Sequence, residues 1–147
     1  MKRASHRGLL SGFTLIELMI AVGIVGILAA IAVPSYMAFV RQSNRSDATR
    51  TMMQDAQSLQ RCYSQNYSYT PAGGCPTPAG TTTSPGGFYS VTIAIPTATT
   101  YTITATPLVA PQLADTTCAT FKLDSTGTQT AQNSASSDTT KTCWGSN

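Results

Sequence analysis

Charge is what this sequence has least of: 10% of its 147 residues are Asp, Glu, Lys or Arg, against roughly 25% in an ordinary soluble domain. Two segments account for the deficit. No charge falls between Leu18 and Val33, and the C-terminal half uses Thr and Ser where Lys and Glu are usual. Histidine is nearly absent too. The single one, His6, lies in the first dozen residues, and the acidic residues are scattered, so no catalytic constellation is visible and an enzyme is not expected. Metal-ligand spacing is also missing. The four cysteines, Cys62, Cys75, Cys118 and Cys143, are separated by 12, 42 and 24 residues, none of which is a CxxC zinc spacing. Asp115, Asp124 and Asp138 are too sparse for a calcium loop, and no cofactor is expected.

The net charge of +3 arises entirely from Lys2, Arg3 and Arg7. Beyond residue 12, six basic residues (Arg41, Arg45, Arg50, Arg61, Lys122, Lys141) face six acidic ones (Glu17, Asp47, Asp55, Asp115, Asp124, Asp138). A surface that tracks phosphates needs clustered basic groups. The four arginines between 41 and 61 form a loose cluster at best, and they read as the solvated and lipid-facing side of a helix near a membrane.

What is present begins with a long apolar run. From Phe13 to Val40 the only polar side chains are Thr14, Glu17, Ser35 and the Tyr36 hydroxyl. As a helix these 28 residues would be about 42 Å long, enough for a hydrocarbon core of about 30 Å. The basic residues before the run place residues 1–12 in the cytoplasm and everything after Arg41 on the far side. A plain signal anchor, or a secretory signal cut at Ala30-Ile31-Ala32, would explain the run. Neither explains Glu17, a carboxylate inside an apolar span, which is expensive unless neutralised or paired.

The string Gly12-Phe13-Thr14-Leu15-Ile16-Glu17-Leu18 resembles the cleavage site of type IV prepilins and type II secretion pseudopilins. The resemblance implies that residues 1–12 are a leader removed between Gly12 and Phe13 by a prepilin peptidase, which also methylates the new N-terminus at Phe13. It further implies that Glu17 pairs with a neighbouring subunit's N-terminal amine during assembly. Pro34 matches the proline of the family's anchor helix and reads as a kink, because Tyr36, Met37, Phe39 and Val40 continue an apolar face beyond it.

After Arg41 an amphipathic stripe of Ala48, Met52, Ala56, Leu59 and Tyr63 extends the helix to about residue 63. Residues 64–87, rich in Tyr, Pro and Gly, read as loop. Three strands follow by alternation: Tyr89, Val91, Ile93 and Ile95; Tyr101, Ile103 and Ala105; Ala119, Phe121 and Leu123. Asp124-Ser125-Thr126-Gly127 has turn chemistry and leads to a weaker fourth strand over 128–131. The Ser/Thr-rich tail from Thr128 to Thr142 reads as solvated loop.

An even number of cysteines in an exported segment points to disulfides. Of three possible connectivities, the local one, Cys62 to Cys75 and Cys118 to Cys143, closes the shortest loops, each worth roughly 2 to 4 kcal/mol. Cys118 to Cys143, with Trp144 after it, resembles the disulfide-bounded C-terminal region of pilins. The stretch Cys118 to Gly127 is similar to PilE-type minor pilins of Gram-negative bacteria.

The expected fold is α+β, a pilin-like roll in which one long N-terminal helix, transmembrane in its first half, packs on a 3–4-stranded antiparallel sheet. The expected organisation is a leader over 1–12, an assembly helix over 13–40 and a head over 41–147, comprising helix 41–63, loop 64–87 and sheet region 88–147. The resemblance implies a structural subunit, of the minor class, of a type IV pilus. The subunit waits in the inner membrane with its head in the periplasm and then enters the extracellular fimbrium. Adhesion, twitching motility and DNA uptake or binding would be properties of the assembled fibre. Its partners would be other pilin subunits and the prepilin peptidase/methyltransferase. The alternatives are a type II secretion pseudopilin and a membrane-anchored exported ligand-binding module.

Overall fold

The computed structural model describes residues 13–70 and 80–145, so the leader with Gly12, and also Cys75, lie outside the described residues. The chain divides into two units, Met1–Tyr36 and Met37–Asn147. One helix, α1 (Leu15–Asn66), contributes to both. In the first unit every described residue is exposed, and the helix is long and apolar enough to cross a membrane. Pro34 lies inside α1, so it is not the helix exit. The helix ends three residues beyond the expected Tyr63, at Asn66.

The second unit pairs the rest of α1 with a five-stranded antiparallel meander. Its strands are β1 (Gly80–Thr83), β2 (Tyr89–Thr97), β3 (Thr100–Pro107), β4 (Thr120–Asp124) and β5 (Gln129–Gln132), ordered as in the sequence. The sequence reading gave three or four strands and placed residues 80–83 in a loop, so β1 corrects it. All four residues of β1 are exposed, and a strand with no buried face leaves no alternation to read. What defines β1 is its pairing with β2, from Gly80 opposite Ile93 to Thr83 opposite Ser90. The Thr128–Ala131 strand is present one residue along, as β5. A short helix, α2 (Thr140–Trp144), closes the domain.

Register carries the alternation across the sheet. Val91, Ala105, Phe121 and Ala131 lie opposite one another in successive strands and are all buried. The row beside it, Thr92, Thr104, Lys122 and Thr130, is on the other face, because side chains alternate along a strand. The β2–β3 register shifts between Ala94 and Thr97, where Pro96 has no N–H to give to a ladder.

The buried face meets the α1 stripe in a single core. Ala48, Met52 and Leu59 are completely buried, as are Tyr89, Val91, Ile103 and Phe121, and Ala56 and Tyr63 pack at the margin as expected. Each large apolar side chain removed from water in this way contributes about 1.5 to 3 kcal/mol. Aromatic edges tie the ends. Tyr69 stacks on Tyr63 and meets Tyr101 edge-on, while Phe121 takes Tyr89 and Trp144 edge-on.

Polar locks hold α1 against the loops. Arg45 donates two hydrogen bonds to Asp115, at 2.7 and 2.9 Å, so it is not the solvated arginine that its position among polar residues indicated. Burial opposes ionisation of Asp115. The Arg45 guanidinium and the N–H groups of Cys118 and Thr117 outweigh it, and its carboxyl sits below the usual carboxylate range. Asp47 accepts from Ser84 and from the Gly86 N–H. A Cβ on Gly86 would lie 2.7 Å from the Asp47 carboxylate, which explains a glycine at this close approach. Asp55 falls in the core stripe between Met52 and Leu59. One of its carboxylate oxygens is buried without a hydrogen-bond partner, and burial raises its pKa.

Two stability predictions follow these locks. Asp115→Ala leaves a mostly buried guanidinium unpaired and should cost about 3 to 5 kcal/mol, read by denaturant unfolding. In the unsubstituted protein the Asp115 contribution is present above the unfolded-state pKa and is lost as pH falls through its depressed folded value. Asp55 has the opposite sign: its folded pKa is raised, so its contribution is full at acid pH and declines as pH rises through that value. Asp55→Asn should therefore raise Tm at neutral pH by a few degrees, about the effect of 1 kcal/mol in a domain this size, and the gain should vanish in acid.

Candidate functional site

The residues singled out for processing and assembly lie at the start of α1. Phe13 is almost fully exposed, and Thr14 precedes the first helical residue. The Thr14 hydroxyl accepts from the Glu17 N–H at 3.3 Å. In return Glu17 Oε2 accepts from the Thr14 N–H and Oγ1 at 2.9 and 2.8 Å. This is a reciprocal capping box, in which an N-cap threonine and a glutamate three residues on satisfy otherwise unpaired helix-start donors. The sequence reading missed it, although Thr-x-x-Glu ahead of an apolar run is its signature. Glu17 thus has a structural use within its own chain: it closes the first turn and aligns a negative charge with the positive end of the helix.

Pro34, the other residue expected to act in assembly, is about 26 Å further along at the helical rise, inside an exposed apolar stretch that includes Ile31, Val33 and Tyr36. The structure thus does not gather Glu17 and Pro34 into one pocket. They mark two levels of α1, both on exposed apolar helix.

The cysteines lie in the second unit. Cys118 and Cys143 are bonded, with Cα atoms 5.8 Å apart, and they enclose β4, β5 and the start of α2. Cys62, near the end of α1, is also in a disulfide. Its expected partner, Cys75, lies outside the described residues. The C-terminal region is fastened further by the Trp144 indole N–H, which donates to the Thr130 carbonyl at 2.9 Å. Thr139 and Ala131 are joined through the backbone as well. The Asp115 carboxylate bonds the backbone at Cys118 while holding Arg45, so the disulfide region and α1 share one ionic anchor. Spacing alone gave no sign of that link, 70 residues apart in sequence.

Among the described residues no group of three or more His, Cys, Asp or Glu could hold a metal ion. An open groove of about 570 Å³ lies in the second unit between α1 and the β4–β5 turn. Its floor is apolar and its rim carries carboxamides and Arg61, with no acid, base and nucleophile converging in it.

Comparison with known proteins bears on both parts of the chain. Residues 34–122 match the family described as "Type IV minor pilin ComP, DNA uptake sequence receptor", a stretch covering more than half the chain. The chain belongs to the type IV minor pilin family. Residues 11–33 match the prokaryotic N-terminal methylation motif. Individual relatives match over shorter stretches. The fimbrial protein EcpC of Eikenella corrodens is 62% identical over 37 residues, 25% of this chain and 24% of that one. The type IV major pilin protein PilA of Myxococcus xanthus is 62% identical over 37 residues, covering 25% and 17%. The type IV major fimbrial protein FimA of Dichelobacter nodosus is 51% identical over 51 residues, covering 35% and 31%. The chain thus spans less than a third of the length of these relatives. The assignment to minor pilins rests on the match over the head, and it agrees with the minor-pilin resemblance seen in the sequence.

The pilin capping box can be tested directly. Thr14→Ala should speed amide hydrogen exchange over Leu15 to Leu18 by roughly fivefold, the equivalent of the about 1 kcal/mol lost with an N-cap. Glu17→Gln, which keeps a side chain able to accept from Thr14, should stay near the unsubstituted rate. Equal fraying in both variants would mean that charge, and not the reciprocal hydrogen bonds, closes the turn.

Proposed function

We propose that this chain is a structural, minor-class subunit of a type IV pilus and that the fibre carrying it takes part in DNA uptake. The observation that carries the reading is the pairing of a methylation motif at residues 11–33 with a minor-pilin head at residues 34–122. In this reading the leader is cut between Gly12 and Phe13 by the prepilin peptidase, and Phe13 is methylated. Residues 13–40 hold the subunit in the inner membrane, with the head (residues 41–147) in the periplasm, until the subunit joins the extracellular fibre.

The chemistry of assembly follows from α1. Moving its exposed apolar face from lipid to a bundle of like helices changes its packing partners without exposing it to water. Glu17 and the amine of a neighbour's Phe13 are opposite charges in a medium of low dielectric, where their attraction is large and each relieves the cost of burying the other. The role is mechanical and not enzymatic: the chain is the substrate of its processing enzyme.

The DNA part comes from the family's description as a DNA uptake sequence receptor. Arg50, Arg61, Lys122 and Lys141 are exposed and among the described residues none forms an ion pair, since the one there joins Arg45 to Asp115. These isolated cations are groups on the head free to meet phosphates, which bind through basic side chains.

The deciding experiment is mass spectrometry of the chain recovered from sheared fibres of its host. The expected species starts at methylated Phe13. A chain starting at Val33, or one still carrying Met1, or one found only in membranes, would overturn the subunit reading. Deletion of the gene should leave fibres visible while reducing DNA uptake. Undiminished uptake would remove the DNA role and leave the structural one.

A further inference from the structure

The connection from β3 to β4 has its polar side inward and its apolar side outward. From Leu108 to Ala114 the one polar side chain is Gln112, and it is completely buried. It donates to the Arg41 carbonyl and to the Tyr89 hydroxyl and accepts from Asn44. The side chains turned to the surface are apolar. Leu108, Val109 and Leu113 are 44%, 42% and 66% exposed, and Ala110 and Ala114 are exposed beside them. Backbone bonds from the Leu113 N–H to the Val109 carbonyl and from the Asp115 N–H to the Gln112 carbonyl hold the segment in shape, so the apolar surface is preformed. A surface connection ordinarily presents Ser, Asn, Asp or Gly to water. A contiguous exposed apolar patch instead marks a surface that meets a protein or a membrane.

The Gln112 bonds fix where the patch lies. It sits beside the Arg41–Asn44 stretch of α1, just past Met37, Phe39 and Val40, which end the apolar run. That run, Phe13 to Val40, is 28 residues and about 42 Å long, the thickness of a bilayer with its headgroups. On the reading above that the run holds the subunit in the inner membrane, on which this proposal rests, Arg41 and the patch fall at the headgroups of the periplasmic leaflet. Charge agrees with that place. Arg41 has no ion-pair partner among the described residues, and a cation at a membrane surface attracts anionic lipid. The carboxylate that follows the patch, Asp115, is buried and turned inward onto Arg45, so it sets no negative charge against the lipid. We propose that the Leu108–Leu113 segment is a membrane foot: before assembly it lies in the headgroup layer of the periplasmic leaflet, with anionic phospholipid as its partner. Three partly exposed side chains cover far less than the roughly 800 Å² per partner of a stable protein interface. A lipid contact needs no such area, because the span already holds the head at the bilayer and the foot adds a second, weak attachment. The foot would hold the head in one orientation on the membrane until the subunit is drawn into a fibre.

The test is lipid quenching of a fluorophore on the full chain, reconstituted in vesicles of phosphatidylethanolamine and phosphatidylglycerol. The described native cysteines are all in disulfides, so a single introduced thiol directs the label. Leu113→Cys and Val109→Cys place it on the foot. Thr126→Cys places it on the exposed β4–β5 turn, which Gln60 of α1 holds through the Ser125 carbonyl, about 28 Å beyond Arg41 at the helical rise. Ile24→Cys places it in the middle of the apolar run. Lipids spin-labelled near the headgroup should quench both foot positions about threefold more than Thr126→Cys, as for a segment that enters the interface instead of facing it. Lipids labelled at the chain ends should quench Ile24→Cys most. Foot probes quenched no more than Thr126→Cys, with Ile24→Cys still quenched, would overturn the foot and spare the anchor. Foot probes shielded from aqueous iodide but not quenched by lipid would overturn it in favour of a protein cover. An Ile24→Cys probe that no lipid quenches would overturn the inner-membrane reading and the foot with it.

Discussion

The seam between the α1 stripe and the buried face of the sheet is the constraint on which the second unit depends. Ala48, Met52, Ala56 and Leu59 recur at steps of four and three, and they must meet the period-two faces of β2, β3 and β4. Both periodicities are satisfied at once in the single core that the stripe and the buried sheet face share. A one-residue slip in any strand would turn its apolar set outward. The meander order makes the slip costly. Each strand is hydrogen-bonded to its sequence neighbour, so an error in one register propagates to the next.

Hydrophobic contact alone does not say where along the helix the sheet should sit, since it is non-directional. Polar contacts supply that information. The bidentate Arg45–Asp115 pair and the Gln112 bonds to Tyr89 and the Arg41 carbonyl can form at one helix position only, and Asp47 fixes the β1–β2 turn through Ser84 and Gly86. Directional bonds with a high penalty for being unmade select one arrangement among several of similar apolar area. Because Asp115 also bonds the backbone at Cys118, the same lock orients the disulfide-bounded region, whose cross-link adds roughly 3 to 4 kcal/mol by restricting the unfolded chain.

The parts legible in the sequence were those with a period or a covalent signature. The helix stripe, the alternation of Tyr89 to Ile93 and Tyr101 to Ala105, and the Cys118–Cys143 pairing each leave a local trace. β1 does not, because its residues Gly80 to Thr83 bury no face and owe their conformation to β2. Arg45 and Asp115 look like two ordinary surface charges until folding brings them together across 70 positions. Asp55 was hidden for the opposite reason: it occupies a stripe position that the pattern reserves for an apolar residue. At the N-terminus the Gly-Phe-Thr-Leu-Ile-Glu string was read for its processing chemistry, and that reading masked the simpler capping role of Thr14 and Glu17.

The observed cap and the proposed assembly role of Glu17 fit together. A carboxylate in an apolar helix must find partners before assembly as well as after it. Through Thr14 the isolated chain already supplies hydrogen bonds to Glu17 Oε2, within one helical turn and without help from any other subunit. On the proposed reading, the capped carboxylate is then presented next to the chain's own new N-terminus, within the one turn where the helix end attracts negative charge. Pairing with a neighbour's amine adds an ionic contact to groups that are already ordered, so little conformational freedom remains to be lost when it forms. On that reading the cap pre-organises the group that assembly would use. A glutamate placed one helical turn further along the apolar run would lack that partner. It would enter the membrane with its lone pairs unsatisfied, which is a physical reason for the threonine and the glutamate to occur together at the start of this helix.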